Sequence, residues 1–287
     1  MAKTIGNPLS WLSSATGRAA GEIDDGVGEL SGSDTAPIVV NELAISDLKD
    51  SIRAGFDDFL AMRTDVMFIV LIYPIIGILL TWTVVNTAML PLLFPLMSGF
   101  ALLGPVAAIV LYEMSRRREI GEKPSWGDGF SIINSPSFVP ILILAAYLFV
   151  IFLFWIFIAY FLYTVTLGPE APTSSMGFVR DVFTTGAGWT MLIAGMLIGF
   201  VFATLAFAIS LVSFPLLIDR HVGLANAIVT SLNVAKKNPT TVAAWGAIIA
   251  ASLVFGAITL FVGLIVILPV MGHASWHFYR RAVAKKQ

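Results

Sequence analysis

The longest apolar stretch of the chain is TVAAWGAIIAASLVFGAITLFVGLIVILPVMGHASWH, residues 241–277. A helix needs about 20 mostly apolar residues to cross the hydrocarbon core of a bilayer, so this stretch is too long for one ordinary span. Basic pairs flank it at residues 236–237 and 280–281. Because Lys and Arg concentrate on the cytoplasmic side of a membrane, both ends belong there. The stretch therefore predicts two spans joined by a tight turn near residues 255–258.

Four further apolar blocks of about span length precede this stretch, at residues 66–86, 91–113, 140–165 and 189–218. The chain of 287 residues is 57% hydrophobic and 12% charged, with a mean hydropathy of +0.89. Soluble domains carry about 25% charged residues. The sequence thus predicts an all-α polytopic membrane protein with six transmembrane helices. One long, tilted last helix with an external C-terminus is the alternative.

The distribution of basic residues in the loops agrees with six spans. Three arginines occupy residues 116–118, whereas residues 86–91 carry no Lys or Arg and residues 166–188 carry Arg180 alone. By the positive-inside rule, we expect both termini in the cytoplasm.

The first 40 residues differ from the rest in composition. Residues 1–40 are acidic and rich in Gly and Ser, which predicts a disordered tail because such a segment buries little apolar area. A short apolar patch at residues 8–12 could dock on a partner or on the membrane surface. We divide the chain into this tail and a six-helix domain at residues 41–287.

An amphipathic segment precedes a long apolar block three times. The segments are residues 47–65, 125–137 and 224–238. In the first, Ser46 is the expected N-cap, and the proposed apolar face consists of Leu48, Ile52, Phe56, Phe59 and Leu60. This face favours a position at the membrane interface or against the cytoplasmic face of the protein itself. The pattern predicts three units, each an interfacial helix followed by a transmembrane hairpin.

The ends of the blocks support this internal repeat. An aromatic residue, an ionisable residue and a basic pair follow a proline at matching offsets in two units, and a third copy is degenerate. The expected structural or interface residues are Pro105, Arg116 and Arg117 in the first unit, Pro215 in the degenerate copy, and Pro269, Trp276, Arg280 and Arg281 in the last. Trp82, Trp126, Trp189 and Trp276 lie near span ends, which is typical of an aromatic belt.

Ionisable residues in apolar blocks are costly and therefore mark candidate sites. The candidates are Glu113, Asp219, His273 and His277, all near expected cytoplasmic ends. Arginines follow both acids, Arg116 and Arg117 after Glu113 and Arg220 after Asp219, so a charge cluster that fixes helix depth is the simplest interpretation.

A metal site is the sharper hypothesis for the two histidines. His273 and His277 are spaced i, i+4 on one helix, so both rings can face one ion if a third ligand approaches. Glu113 occupies the repeat position equivalent to His277 and is the candidate third ligand. Since two histidines one turn apart cannot clamp both faces of a haem, only one of them could serve as an axial ligand.

Residues 263–280, together with Gly104, Pro105 and residues 112–117, resemble the DUF2189 family of uncharacterised bacterial integral membrane proteins. The resemblance covers roughly residue 41 to the C-terminus. It implies a bacterial inner membrane location, and some members of the family are labelled as a cytochrome c oxidase subunit. It supplies no catalytic residues.

The sequence predicts a protein that is not an enzyme. The chain contains no cysteine, which excludes disulfides and thiolate sites, and it lacks a phosphate-binding glycine loop and an HExxH motif. No cofactor and no nucleic-acid partner are expected. The leading hypothesis is an accessory or assembly subunit of a larger respiratory or photosynthetic membrane complex, in contact with lipid and a membrane-protein partner. The alternatives are a transporter or channel for a small or lipid-like solute, with Asn86, Thr204, Ser210 and Ser213 as liners, and a metal- or haem-binding redox subunit.

Overall fold

The computed structural model describes residues 30–34, 37–70, 75, 77–79, 82 and 89–285. Over these residues the regular elements are helical, and a β-bridge pairs Val40 with Val283. The α-helices are α1 (Ile45–Val70), α2 (Leu93–Leu102), α3 (Gly104–Ala107), α4 (Ile109–Glu119), α5 (Phe138–Thr166), α6 (Ser175–Thr184), α7 (Gly186–Ser210), α8 (Ser213–Asp219), α9 (Leu224–Lys237), α10 (Pro239–Ile258) and α11 (Leu264–Ala282). Short 3-10 helices lie at Leu90–Leu92 and Trp126–Asn134. The all-α class is confirmed.

The apolar stretch of residues 241–277 forms two antiparallel helices. Near the turn Gly256 packs on Leu264, while at the far end the rings of Trp245 and Phe278 are stacked with centroids 5.2 Å apart. The turn lies at residues 259–263, slightly later than expected, and the Thr259 hydroxyl accepts the Gly263 N–H at 3.0 Å. The single long helix is therefore wrong for this stretch.

Within the described part of the chain, three helical segments are long and apolar enough to cross a membrane: Phe138–Thr166, Gly186–Asp219 and Pro239–Ile258. They agree with the predicted blocks 140–165 and 189–218 and with the first half of the last stretch. The six spans and the threefold hairpin repeat remain predictions. The predicted block 91–113 is divided among α2, α3 and α4, and most of block 66–86, with Asn86, lies outside the described residues. Residues 1–29, with the patch at residues 8–12, lie outside them as well.

Helices α5 and α7 form a second antiparallel pair. Gly199 faces the ring of Trp155 and Gly195 faces Leu162, so the two glycines let α7 approach α5 closely. Trp155 is 3% exposed and donates from Nε1 to the Pro95 carbonyl at 2.9 Å, which ties α5 to α2. The small-residue spacing in α7 thus serves contact within the chain.

Helix α1 packs along α11 and does not lie alone in the membrane interface. At Gly55 a Cβ atom would come within 2.4 Å of the Ala274 nitrogen, so the two backbones touch. Leu48 and Phe59 are buried as expected, but Phe56 and Leu60 are exposed. The helix begins at Ile45 and not after Ser46, because the Asp47 carboxylate accepts the Ala44 N–H at 2.8 Å.

The described part of the expected tail contacts the helical domain. The Arg220 guanidinium lies 3.0 Å from the Asp34 carboxylate, and the Asp34 N–H donates to the His221 carbonyl at 2.8 Å. Further along, Lys237 donates to the Val40 carbonyl at 2.9 Å. The chain therefore joins the domain before residue 41.

A buried polar cluster as candidate functional site

The Asp58 carboxylate is the centre of a polar cluster between α1, α4 and α11. Oδ2 accepts the Ser115 hydroxyl at 2.6 Å and lies 2.9 Å from His277 Nε2. Oδ1 pairs with the Arg118 guanidinium. Asp58 is 3% exposed, so a carboxylate that would be costly to bury alone has donors from two other helices. We call Asp58, Ser115, Arg118, His273 and His277 the Asp58 cluster.

The hydrogen bonds of the cluster fix the direction of each donor. An ionised carboxylate only accepts, so Ser115 uses its single hydrogen on Asp58. His273 Nδ1, 2.7 Å from Ser115 Oγ, must then donate to that oxygen. In the neutral ring Nε2 is the bare acceptor, and Nε2 is buried without a hydrogen-bond partner in the described part of the chain. A buried ring nitrogen without a partner costs less free energy as a bare acceptor than as an N–H donor, so this tautomer is the favourable one.

The charge state of Asp58 follows from its surroundings. Burial alone raises the pKa of this carboxyl, but hydrogen bonds from His277 and Ser115 and the nearby imidazoles lower it by more. The pKa of Asp58 therefore lies below its ordinary value, and the carboxylate is ionised at neutral pH. The cluster thus holds a buried negative charge at the junction of three helices.

A second polar cluster lies beside the first, between the ends of α4, α8 and α11. Arg280 Nη1 lies 2.8 Å from Asp219 and Nη2 lies 3.0 Å from Glu119. Tyr279 donates to Asp219 at 2.6 Å, and Trp276 Nε1 donates to Glu119 at 3.1 Å. Asp219 therefore pairs with α11 and not with the adjacent Arg220, because Arg220 turns towards Asp34.

Trp276 is a core residue, which corrects its expected place in an aromatic belt. It is 0% exposed, and the Arg280 guanidinium carbon lies 5.9 Å from its ring centroid. Its indole N–H is satisfied by Glu119, so no water is needed at that nitrogen. Of the other expected belt residues, Trp82 and Trp189 are exposed.

Glu113 is held by its own helix. Arg116 Nε lies 2.7 Å from its carboxylate and Arg117 Nε lies 2.8 Å from it, as the spacing predicts. Arg117 also reaches Asp128 at 3.2 Å, which joins α4 to the 3-10 helix that follows. The described residues contain no group of three His, Asp or Glu side chains placed to hold a metal ion. The structure thus does not bring Glu113 to the two histidines.

The remaining expected residues have structural positions. Pro269 lies inside α11 and is buried, Pro215 is buried in α8, and Pro105 opens α3. Arg281 lies 3.8 Å from Asp50 on α1.

The Asp58 cluster contains serine, histidine and aspartate, yet it is not arranged for nucleophilic catalysis. In a catalytic triad the histidine stands between the serine and the acid. Here Ser115 itself stands between Asp58 and His273, and it is 1% exposed. The cluster is instead suited to fix α1, α4 and α11 relative to one another.

The described surface also carries an open apolar groove of about 450 Å³ between α5 and the α2–α3 segment. Its lining includes Leu103, Val106, Ala107, Leu142, Ala145 and Phe149. Those expected polar liners that the structure describes lie elsewhere and bond to backbone: Thr204 donates to the Phe200 carbonyl at 2.8 Å and Ser210 to the Ala206 carbonyl at 2.7 Å.

Asp58, Ser115 and Arg118 were missed from the sequence. The apolar period of residues 47–65 places Phe56 and Leu60 on the packed face of α1, which leaves Asp58 among the polar residues between them. The small residues Ser51 and Gly55 precede Asp58 at i−7 and i−3; Ser51 is buried, and Gly55 lies against Ala274 of α11. A small-residue pattern was therefore the available signal.

No curated protein and no solved structure matches the chain. A family model does match part of the chain, residues 92–219, from the 3-10 turn before α2 to the end of α8. This segment includes α4, the helix that supplies Ser115 and Arg118 to the Asp58 cluster. The family is described as "Predicted integral membrane protein (DUF2189)", so the match confirms the resemblance for this segment and identifies the chain as an integral membrane protein.

Proposed function

We propose that the protein is a non-catalytic membrane subunit that binds another membrane protein, as an accessory or assembly component of a larger complex. A bacterial inner membrane location with cytoplasmic termini is part of the proposal. The observation that carries it is an aromatic stripe on the outer face of α5, which we define as Tyr147, Phe154, Phe157 and Phe161.

The stripe lies beside the packed side of α5, on its exposed surface. Its four residues are 48–65% exposed, whereas Leu144, Leu148 and Trp155 on the packed side are at most 3% exposed. Aromatic residues are enriched at protein interfaces and often dominate their binding energy. A stripe of this composition is suited to receive a helix of another membrane protein.

Tyr147 distinguishes the stripe from an ordinary lipid-facing surface. In a helix of 29 residues it lies about 8 Å from the midpoint, inside a hydrocarbon core about 30 Å thick. Among the described residues no hydrogen bond to its hydroxyl is found. Since lipid tails offer no acceptor, a partner helix with a polar group at this depth would bind the hydroxyl.

The test is purification of the tagged full chain from its native membranes in mild detergent, followed by mass spectrometry of what elutes with it. The wild-type protein is expected to elute with one defined membrane complex in fixed stoichiometry. Phe157→Ala and Tyr147→Phe should lower the recovered partner several-fold. Phe200→Ala is the matched control, because Phe200 is 71% exposed on the far side of α7.

Two outcomes would contradict the proposal. If the wild-type chain elutes without any other protein, the subunit hypothesis is wrong and the transport hypothesis becomes the leading one. Equal loss of partner in the Phe200 and Phe157 variants would show that the stripe is not the binding surface.

A further inference from the structure

Helix α6 lies at the end of the molecule opposite the Asp58 cluster. It follows α5, whose 29 residues carry the chain about 43 Å along the helix axis. It has ten residues, and its N-cap Ser174 accepts the Gly177 N–H at 3.0 Å. The helix is amphipathic, and its side chains divide into three sides.

The first side packs on the protein. The ring of Phe178 lies 6.2 Å from that of Tyr163 near the end of α5. Val182 is 8% exposed, and a Cβ on Gly188 would come within 2.5 Å of its Cα. These contacts hold α6 beside the ends of α5 and α7.

The second side is apolar and exposed. Met176, Val179 and Phe183 are 78%, 48% and 55% exposed, and their i, i+3 and i+7 spacing places them on one face. The third side carries Arg180, Asp181 and Thr184, which are exposed as well. A helix with one flank on protein, one exposed apolar flank and one polar flank fits a boundary between hydrocarbon and water.

The exposed apolar side continues onto a candidate span. The rings of Phe183 and Trp189 meet edge to face with centroids 6.4 Å apart, and Trp189 Nε1 donates to the Phe183 carbonyl at 3.1 Å. Trp189 stands in the first turn of α7, and Ile193 below it is 53% exposed. The apolar side of α6 is therefore continuous with the outer face of α7, which lipid contacts in an integral membrane protein.

We propose that α6 is an interfacial helix that docks on the phospholipid bilayer through Met176, Val179 and Phe183. Its partner is the boundary between headgroups and acyl chains on the side away from the Asp58 cluster. Arg180 and Asp181 are adjacent and opposite in charge, so apolar insertion provides the attraction and anionic lipid is not required. The inference does not rest on the proposed subunit function.

The test uses the absence of cysteine from the chain, which makes single-cysteine variants straightforward. The full chain carrying Met176→Cys, Val179→Cys or Phe183→Cys is spin-labelled and reconstituted into phosphatidylcholine vesicles. Arg180→Cys and Thr184→Cys are the matched controls on the same helix. Power saturation then compares collisions with oxygen, which concentrates in hydrocarbon, and with a water-soluble nickel complex.

The three apolar positions are expected to show an oxygen-to-nickel ratio several-fold above that of the two controls. Equal ratios at all five positions would place the helix in water and overturn the proposal. Low accessibility to both reagents at Met176, Val179 and Phe183 would mean that another copy of the chain covers this side, which also overturns it. Gel filtration of each labelled variant checks that it remains folded.

Discussion

Asp58 on α1 lies 2.9 Å from His277 on α11, although 219 residues separate them in the chain. The same carboxylate binds Ser115 on α4 at 2.6 Å. Buried polar contacts and the close approach of backbones at small residues both hold the helices of membrane proteins together. Asp58 provides the buried polar contact, and Gly55, one turn earlier, provides the close approach of the backbones.

Replacement of Asp58 by Asn should destabilise the protein. The change removes a buried charge and leaves the His277, Ser115 and Arg118 donors with a weaker acceptor. Because Arg118 is partly exposed, the cost should lie near the lower end of the range for a broken buried ion pair, about 3 kcal/mol. The loss of stability is measured by heating both proteins in detergent and using gel filtration to quantify the fraction that remains folded at each temperature.

Asp57→Asn is the control for this variant, because Asp57 is the neighbouring residue and its side chain is exposed. It should change stability by less than about 0.5 kcal/mol. Equal stability of the two variants would show that Asp58 does not hold the helices together.

The contribution of Asp58 should depend on pH in acid. Its pKa is lower in the folded protein than in the unfolded chain. The resulting stabilisation is complete above the unfolded-state pKa of about 3.9 and is lost as the pH falls through the folded-state value. The difference in unfolding temperature between wild type and Asp58→Asn should therefore be constant near neutral pH and shrink below about pH 4. A difference that stayed constant down to pH 3 would contradict this linkage.

Gly55→Ala should also destabilise the protein, through sterics alone. The added Cβ would stand 2.4 Å from the Ala274 nitrogen and 2.7 Å from its Cα, and backbone atoms cannot move aside as a flexible side chain can. Forcing α1 away from α11 should cost about 1–3 kcal/mol. The same unfolding measurement applies, with Gly186→Ala as the control, because an added Cβ there meets no atom within 4 Å outside its chain neighbours and the backbone of its own helix. If both alanine variants unfold alike, the close approach does not contribute.

The long apolar helices were predictable because length and composition alone specify them. Residues 140–165 correspond to α5 (Phe138–Thr166), and the break in the last stretch was expected from its basic flanks. The packed face of α1 was not predictable from apolar periodicity. Phe56 and Leu60 are exposed although they follow the apolar period, so an apolar residue need not mark the packed side.

The Asp58 cluster also depends on contacts between segments far apart in the sequence. The spacing of His273 and His277 predicts that they are neighbours on one helix. The repeat predicts Glu113 as their acidic partner, but Glu113 is bound by the arginines one turn away. The ion pairs within α4 therefore keep Glu113 away from the histidines, and the acidic side chain that contacts His277 is Asp58 on α1.

The antiparallel arrangement of α10 and α11 leads to a topology prediction. If the basic ends of both helices lie in the cytoplasm, the turn at residues 259–263 must face the other side. Leu260 in that turn is 78% exposed. In sealed right-side-out vesicles, Leu260→Cys should react with a membrane-impermeant maleimide, whereas Lys285→Cys should react only after permeabilisation.

Thr173→Cys is the positive control, because residue 173 is exposed in the loop between α5 and α6 at the same end of the molecule. Labelling of all three cysteines in intact vesicles would place the C-terminus on the same side as the turn and remove the six-span arrangement. Protection of both Leu260→Cys and Thr173→Cys would reverse the orientation while leaving the helical pair intact. The pattern of the three cysteines therefore tests orientation separately from span number, because an inverted hairpin keeps Leu260 and Lys285 on opposite sides.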